Sequence, residues 1–213
     1  MNFDVLCRDP QILLVHDFVT EAEAAYLIAA GDRLMQRSKV VCDEPGGCVD
    51  ARRTSSSAHL GYDANVEQIR QRAREFARLE TCETLQVVKY TLGQEFRPHF
   101  DQFDPTTKDG AREIRTGGQR AATLLVYLNE PEAGGATVFP AAGLSVLPKA
   151  RTAVFWRHQQ ADGTSHPGTL HGGAPVQRGQ KYAVNVWLRR PPSSRRSPSA
   201  QVNSQLQPRP ASL

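Results

Sequence analysis

The chain has 213 residues, 39% hydrophobic and 23% charged, which suits one soluble globular domain with a sizeable core. No apolar run approaches the length of a membrane span. The net charge is +4, but three of the positive charges (Arg195, Arg196, Arg209) lie beyond Pro191, so removing three leaves +1 for residues 1–190; this argues against a phosphate-tracking surface. The expected partners include neither nucleic acid nor a membrane, and the expected state is a monomer. No positive segment followed by an apolar stretch opens the chain. The expected compartment is therefore the cytoplasm by default, or the endoplasmic reticulum lumen if the N-terminus is trimmed.

In chain order, Ile12–Val15 is a short apolar run that reads as a strand. Thr20-Glu21-Ala22-Glu23 is a capping box that opens a helix through about Gln36. A loop rich in glycine, serine and charge follows, from about Cys42 to Ser57. Within it Cys42 and Cys48 flank a turn-rich segment, and the sequence does not choose between a small disulfide and two reduced thiols. None of the four cysteines (Cys7, Cys42, Cys48, Cys82) has zinc spacing. A second helix runs from about Ala64 to Leu79, with Val66, Ile69, Ala73 and Phe76 on one face.

From there the pattern turns to β. Leu85–Tyr90, Gln119–Asn129, Ala136–Phe139, Ser145–Leu147, Ala150–Trp156 and Lys181–Leu188 read as strands between Gly- and Pro-rich turns. Gln102–Gly118 is a long polar insertion expected to be a mobile lid loop. From Pro191 onward the chain lacks the apolar content to fold and reads as a disordered tail, leaving residues 1–190 as one domain. Helices first and many short strands after predict an α+β, mainly β fold, with two N-terminal helices packed outside a β-sandwich or jelly roll.

The chemistry is concentrated in His99-Phe100-Asp101, then His171 and Lys181. On an extended segment His99 and Asp101 project from one face, and a third ligand must come from another strand. Two imidazoles and a carboxylate on one face of an iron leave three positions open, as a non-haem Fe(II) oxygenase requires. Lys181 begins the alternating run Lys-Tyr-Ala-Val-Asn-Val-Trp-Leu, so residues 181, 183, 185 and 187 share a face. A lysine pointing inward needs a partner, and the far carboxylate of a 2-oxo acid provides one. His59, His158 and His166 compete for the third ligand position. Only His171 has the sequel Gly-Gly-Ala-Pro-Val and a lysine ten residues on, so His158 and His166 are expected to be solvated loop residues. Thr123, Leu125 and Tyr127 share one strand face, with barrel packing at least as good a role as cosubstrate contact. Trp156 is expected to pack in the core.

Four stretches, Tyr90–Asp101, Gln119–Asn129, Gly134–Pro140 and His171–Trp187, together with Arg53-Thr54-Ser55 upstream, carry a resemblance. The chain resembles the catalytic domain of the prolyl 4-hydroxylases, the collagen-type branch of the 2-oxoglutarate/Fe(II) dioxygenases. The resemblance implies a double-stranded β-helix core and the iron ligands His99, Asp101 and His171. It also implies 2-oxoglutarate contacts at Tyr90, Thr137 and Lys181, and peptide contacts at Arg53, Ser55, Arg120 and Trp187. The loop around Arg53 is expected to be mobile without peptide. The implied reaction hydroxylates proline in proline-rich or collagen-like peptides with Fe(II), O₂ and 2-oxoglutarate, releasing succinate and CO₂, with L-ascorbate rescuing oxidised iron. Departures from the family pattern, such as Tyr182 where tryptophan is common and Ala174 where cysteine is common, remove no catalytic group. The alternatives are a related dioxygenase acting on lysine, a nucleic-acid demethylase and a non-catalytic proline-rich peptide-binding module. The near-neutral domain and the lysine in place of an arginine argue against the demethylase. The intact His99, Asp101, His171 and Lys181 argue against the binding module.

Overall fold

The structure is a computed structural model that describes residues 1–42, 44, 47–160 and 163–191. The tail expected from Pro191 onward lies, apart from Pro191 itself, outside the described residues. In chain order the elements are β1 (Phe3–Cys7), β2 (Ile12–Val15), α1 (Glu21–Asp32), β3 (Gln36–Arg37), β4 (Ser56–His59) and α2 (Ala64–Ala77). Next come β5 (Thr81–Cys82), β6 (Gln86–Tyr90), β7 (Phe96–His99), α3 (Lys108–Gly117), β8 (Gln119–Tyr127), β9 (Ala133–Gly134) and β10 (Thr137–Phe139). The last are β11 (Leu144–Val146), β12 (Ala153–Arg157), β13 (His171–Gly173), β14 (Val176–Arg178) and β15 (Lys181–Arg190). The fold is mainly β, as expected, and its paired strands are antiparallel.

A nine-stranded sheet runs β1-β2-β12-β8-β15-β6-β4-β3, with β5 also on β15. A four-stranded sheet runs β11-β10-β13-β7. Alternation along β8 sorts its side chains into two cores. Leu124 and Val126 pack with Leu27 of α1 and with Val66, Ile69 and Ala73 of α2. Leu125 and Tyr127 pack with Phe139 of β10 and Val146 of β11 on the other side. The two N-terminal helices and the small sheet therefore cover opposite faces of the large sheet. Each fully buried Leu, Ile or Phe contributes about 1.5–3 kcal/mol.

Both early helices start where their caps are. Thr20 and Glu23 close the capping box, and the Asp63 carboxylate accepts from Val66 N at 2.9 Å; each cap contributes about 1 kcal/mol. Tyr26 donates to the same Asp63 at 2.6 Å and ties the helices together. Helix α1 ends earlier than the sequence suggests, because Gln36 and Arg37 are drawn into pairing with Ser57 and Ser56. Cys42 and Cys48 form a disulfide, which decides a question the sequence left open.

The insertion Gln102–Gly118 is not a loop. It contains α3, capped by Thr107, whose side chain accepts from Gly110 N. Its inward residues are Asp109 and Gly110, and Gly110 sits so close to the Asp104 carbonyl that no Cβ would fit. Glu113 anchors the helix to the large sheet through Arg189 at 2.9 Å. With polar anchors and no apolar stripe, the periodicity used to find helices is missing.

Candidate active site

Strands β7 and β13 pair so that His171 lies directly opposite His99. Asp101 follows β7 by two residues and turns back to the same point. Its Oδ1 is 3.8 Å from His99 Nε2, and its Oδ2 is 3.6 Å from His171 Nε2. One donor atom from each residue lies within 4.8 Å of the others. Each imidazole is oriented from behind. His99 Nδ1 donates to Arg97 O at 2.9 Å, and His171 Nδ1 donates to Thr169 O at 3.0 Å. That fixes the tautomer and leaves both Nε2 lone pairs facing inward, the arrangement metal-binding histidines use. Rings pack around them: Phe96 stacks on His99 with centroids 3.6 Å apart, and Trp156 sits 4.6 Å from His171. Trp156 is thus a core residue, as expected, but its packing partner is a member of the triad.

Burial, reinforced by His171, pulls the His99 pKa down to about 3, so this imidazole is neutral at ordinary pH. Burial pushes Asp101 the other way, but His171 and His99 outweigh it and hold the carboxyl below the usual carboxylate range. Neutral imidazole beside an ionised carboxylate is a donor set for a divalent cation. Thr123 also supports Asp101, donating from Oγ1 to Oδ2 at 2.6 Å. Its partner on the other side is His158, whose Nε2 is 2.8 Å from the same Oγ1. The expectation of a solvated His158 is therefore wrong: the side chain is 1% exposed and lies at the end of β12. Burial pulls its pKa to about 4 against the opposing pull of Asp101. His166 is half-buried and bonded to Asp9 at 3.0 Å, so it too is more than a solvated loop residue.

Next to the triad lies a second group of inward residues, Tyr90, Thr137, Lys181, Ala183 and Asn185. The alternation read along β15 therefore holds. Lys181 is 2% exposed and donates to Gly135 O at 2.6 Å. The rings of Tyr90 and Tyr127 lie 5.5 and 5.3 Å from its Nζ. Burial alone acts on its pKa, drawing it down to about 7, and among the described residues no carboxylate pairs with it. Thr137 accepts from Tyr127 OH at 2.7 Å. A buried ammonium with only a carbonyl and two aromatic faces is a costly arrangement. An anionic ligand completes it, so these residues fit the carboxylate of 2-oxoglutarate.

A groove of ≈ 470 Å³ opens beside the triad, lined in part by Arg53, His59, Gln86, Arg120 and Trp187. Arg53 is buried and fixed. Its guanidinium donates to Gln86 Oε1 at 2.8 Å and to Lys39 O at 3.1 Å, and lies over Phe96. Its Nε is buried without a partner. Ser55 is fully buried and donates to Ser38 Oγ at 2.8 Å, behind the groove. The segment expected to be a mobile loop is thus hydrogen-bonded into the edge of the sheet. Arg120 pairs bidentately with Glu83 at 2.8 Å on each side and covers the Trp187 ring at 3.7 Å. Burial pushes Glu83 up, but Arg120 and Arg189 outweigh it and keep the carboxylate ionised.

Comparison with known proteins agrees with this geometry. The profile of the 2OG-Fe(II) oxygenase superfamily matches residues 85–189, which span both ligand strands and Lys181. Prolyl 4-hydroxylase 5 of Arabidopsis thaliana is 38% identical over 211 residues, covering 87% of this chain and 70% of the relative. The chain belongs to the prolyl 4-hydroxylase family of 2-oxoglutarate/Fe(II) oxygenases. Prolyl 4-hydroxylase subunit alpha-1 of Rattus norvegicus is 40% identical over 184 residues, covering 84% of this chain and 34% of the longer relative. The crystal structure of a viral collagen prolyl hydroxylase from Paramecium bursaria Chlorella virus-1, in complex with 2OG, superposes with a TM-score of 0.65 and 26% identity. It covers 85% of this chain and 97% of that one. Membership implies Fe(II) and 2-oxoglutarate as cofactor and cosubstrate, and the triad and the buried lysine suit both.

Within this prolyl 4-hydroxylase fold, His99, Asp101, His171, Lys181, Tyr90 and Thr137, expected together from the sequence, line one pocket. Thr123 as a partner of Asp101, His158 behind it, and Gln86 as a hub were not expected from the sequence. Gln86 Oε1 accepts from both Arg53 and Asn185. Gln86 lies opposite Asn185 on the paired strands β6 and β15, a register that the sequence does not display.

Proposed function

We propose that this chain is a peptidyl-prolyl 4-hydroxylase that uses Fe(II), O₂ and 2-oxoglutarate, releasing succinate and CO₂, on a double-stranded β-helix catalytic unit of residues 1–190. The observation that carries the reading is the two-His-one-carboxylate cluster beside a buried lysine that no carboxylate among the described residues pairs with. His99, Asp101 and His171 hold the iron. The bound iron supplies O₂ activation and oxidation of an unactivated C–H bond, chemistry that no side chain provides. Lys181 binds the far carboxylate of 2-oxoglutarate, with Thr137 and Tyr90 beside it; such a charge-assisted bond contributes about 1.5–3 kcal/mol. The aromatic wall of Phe96, Phe139 and Trp156 excludes water from the reacting face.

The proposed substrate is a proline-rich or collagen-like peptide, which arrives extended in polyproline II form and loses little entropy on docking. Arg53, Arg120 and Trp187 line its groove, and Ser55 supports the Arg53 segment from behind. Because Arg120 is neutralised by Glu83, recognition rests on shape and hydrogen bonds more than on net charge. A monomer without nucleic-acid partners, assisted by L-ascorbate, completes the reading. Among the described residues no helix is long and apolar enough to cross a membrane.

The test is succinate release from 2-oxoglutarate with and without a proline-rich peptide. Strong stimulation by the peptide, and none by the same peptide with alanine at every proline, is the expected outcome. Equal turnover with both peptides would contradict it.

A further inference from the structure

We infer that His158 is a positioning residue for the metal ligand Asp101, acting through the hydroxyl of Thr123. The inference rests on the metal-centre reading above.

Thr123 is fully buried, so its hydroxyl has no water to turn to and takes its direction from two neighbours. The Asp101 carboxylate lies at 2.6 Å and the His158 ring at 2.8 Å. The single hydroxyl hydrogen goes to the carboxylate, because a bond to an ionised acceptor is roughly twice as strong as a neutral one. Oγ1 then presents lone pairs to His158, and Nε2–H fills that role. The ring is held in place along β8. Its backbone N–H donates to Ala121 O at 3.0 Å, and the ring is fully buried beside Trp156. A neutral ring carries one N–H; the shorter contact, 2.8 Å to Thr123, takes it in preference to the 3.1 Å contact, so Nδ1 bears a lone pair and makes no hydrogen bond to Arg120 O.

The chain His158–Thr123–Asp101 therefore joins the end of β12 and the middle of β8 to the loop after β7. Asp101 lies outside β7, so no strand pairing fixes its carboxylate as it fixes His99 and His171. The Thr123 bond supplies that constraint, and His158 stops the hydroxyl from rotating away. Groups behind a metal ligand that fix its orientation typically change metal affinity by about 10–100-fold when removed.

The test is Co(II) titration of the metal-free full chain, followed by the visible absorption of the bound ion, with far-UV circular dichroism to establish folding. Thr123→Val and His158→Leu should each weaken Co(II) binding about 10–100-fold. The double variant should bind no more weakly than Thr123→Val alone, since His158 acts only through that hydroxyl. His158→Gln, which keeps an N–H donor near the Nε2 position, should restore most of the affinity. His158→Asn, which falls short of Thr123, should not. If His158→Leu fails to fold, the Gln and Asn pair decides, and equal affinities for the two overturn the inference. Unchanged binding in a folded His158→Leu, or a loss additive with Thr123→Val, would also overturn it and leave the metal centre standing. A parent protein that takes up no Co(II) would overturn both.

Discussion

His99 and His171 face each other as direct partners across the β7–β13 pairing, with ring centroids 4.4 Å apart. The residue after His171 makes that approach possible. A Cβ on Gly172 would stand 2.8 Å from Phe96 O and 3.1 Å from Pro98 N, so any side chain pushes β13 away from β7. Gly172→Ala should therefore weaken metal binding and lower 2-oxoglutarate turnover at least tenfold while the large sheet keeps its stability. His99→Ala and His171→Ala should abolish turnover, because two protein ligands hold Fe(II) too loosely. Full activity in Gly172→Ala would show that the pairing does not set the ligand geometry.

Lys181 has a pKa near 7 in the cosubstrate-free site, against an ordinary value of 10.5. Only the ammonium pairs with a carboxylate, so 2-oxoglutarate binding should take up a proton above pH 7. The apparent Kd should then rise by roughly tenfold per pH unit above the pKa. Isothermal titration in two buffers of different ionisation enthalpy reads the proton directly. For stability the sign is opposite to that of a salt-bridged lysine. The folded state binds fewer protons than the unfolded state between pH 7 and 10.5, so the cosubstrate-free protein should gain stability as pH rises through that window. Lys181→Met should flatten both dependences and lose the 2-oxoglutarate response.

The cluster of His99, Asp101 and His171 beside Lys181 was legible because its signals are local. His99 and Asp101 are two residues apart on an extended segment, and Lys181, Asn185 and Trp187 follow a period of two. Thr123 and His158 were not legible, because Thr123 meets Asp101 across 22 residues and His158 across 35. Helix α3 was missed because an ion pair and a bare glycine hold it, and neither leaves an apolar period. Nor does anything local indicate that Arg120 covers one face of the Trp187 ring.

Arg120 joins Glu83 to Trp187 at the wall of the groove. Arg120→Ala should expose the indole and leave Glu83 paired with Arg189 alone. Peptide-coupled turnover should fall at least tenfold, as expected when one partner of a buried hydrogen-bonded ion pair is removed. Uncoupled decarboxylation of 2-oxoglutarate, assayed without peptide, should change little. Equal loss of both would place Arg120 in the cosubstrate site or in the fold.

Arg53 reaches Gln86 and, through it, Asn185 beside the triad. Arg53→Lys should not substitute, because an ammonium cannot bond Gln86 Oε1 and Lys39 O in the same planar fork. The expected result is a raised peptide KM with the 2-oxoglutarate KM unchanged, read from initial rates at varied concentration of each. A raised 2-oxoglutarate KM with an unchanged peptide KM would reverse the assignment.

The most direct test of the account is tandem mass spectrometry of a peptide that contains both proline and lysine, incubated with the full chain, Fe(II), 2-oxoglutarate and ¹⁸O₂. The account predicts one labelled oxygen on a proline ring, one succinate formed per oxygen incorporated, and no label on lysine. Labelled lysine, or succinate formed with the peptide unchanged while Lys181→Ala behaves like the parent, would contradict it.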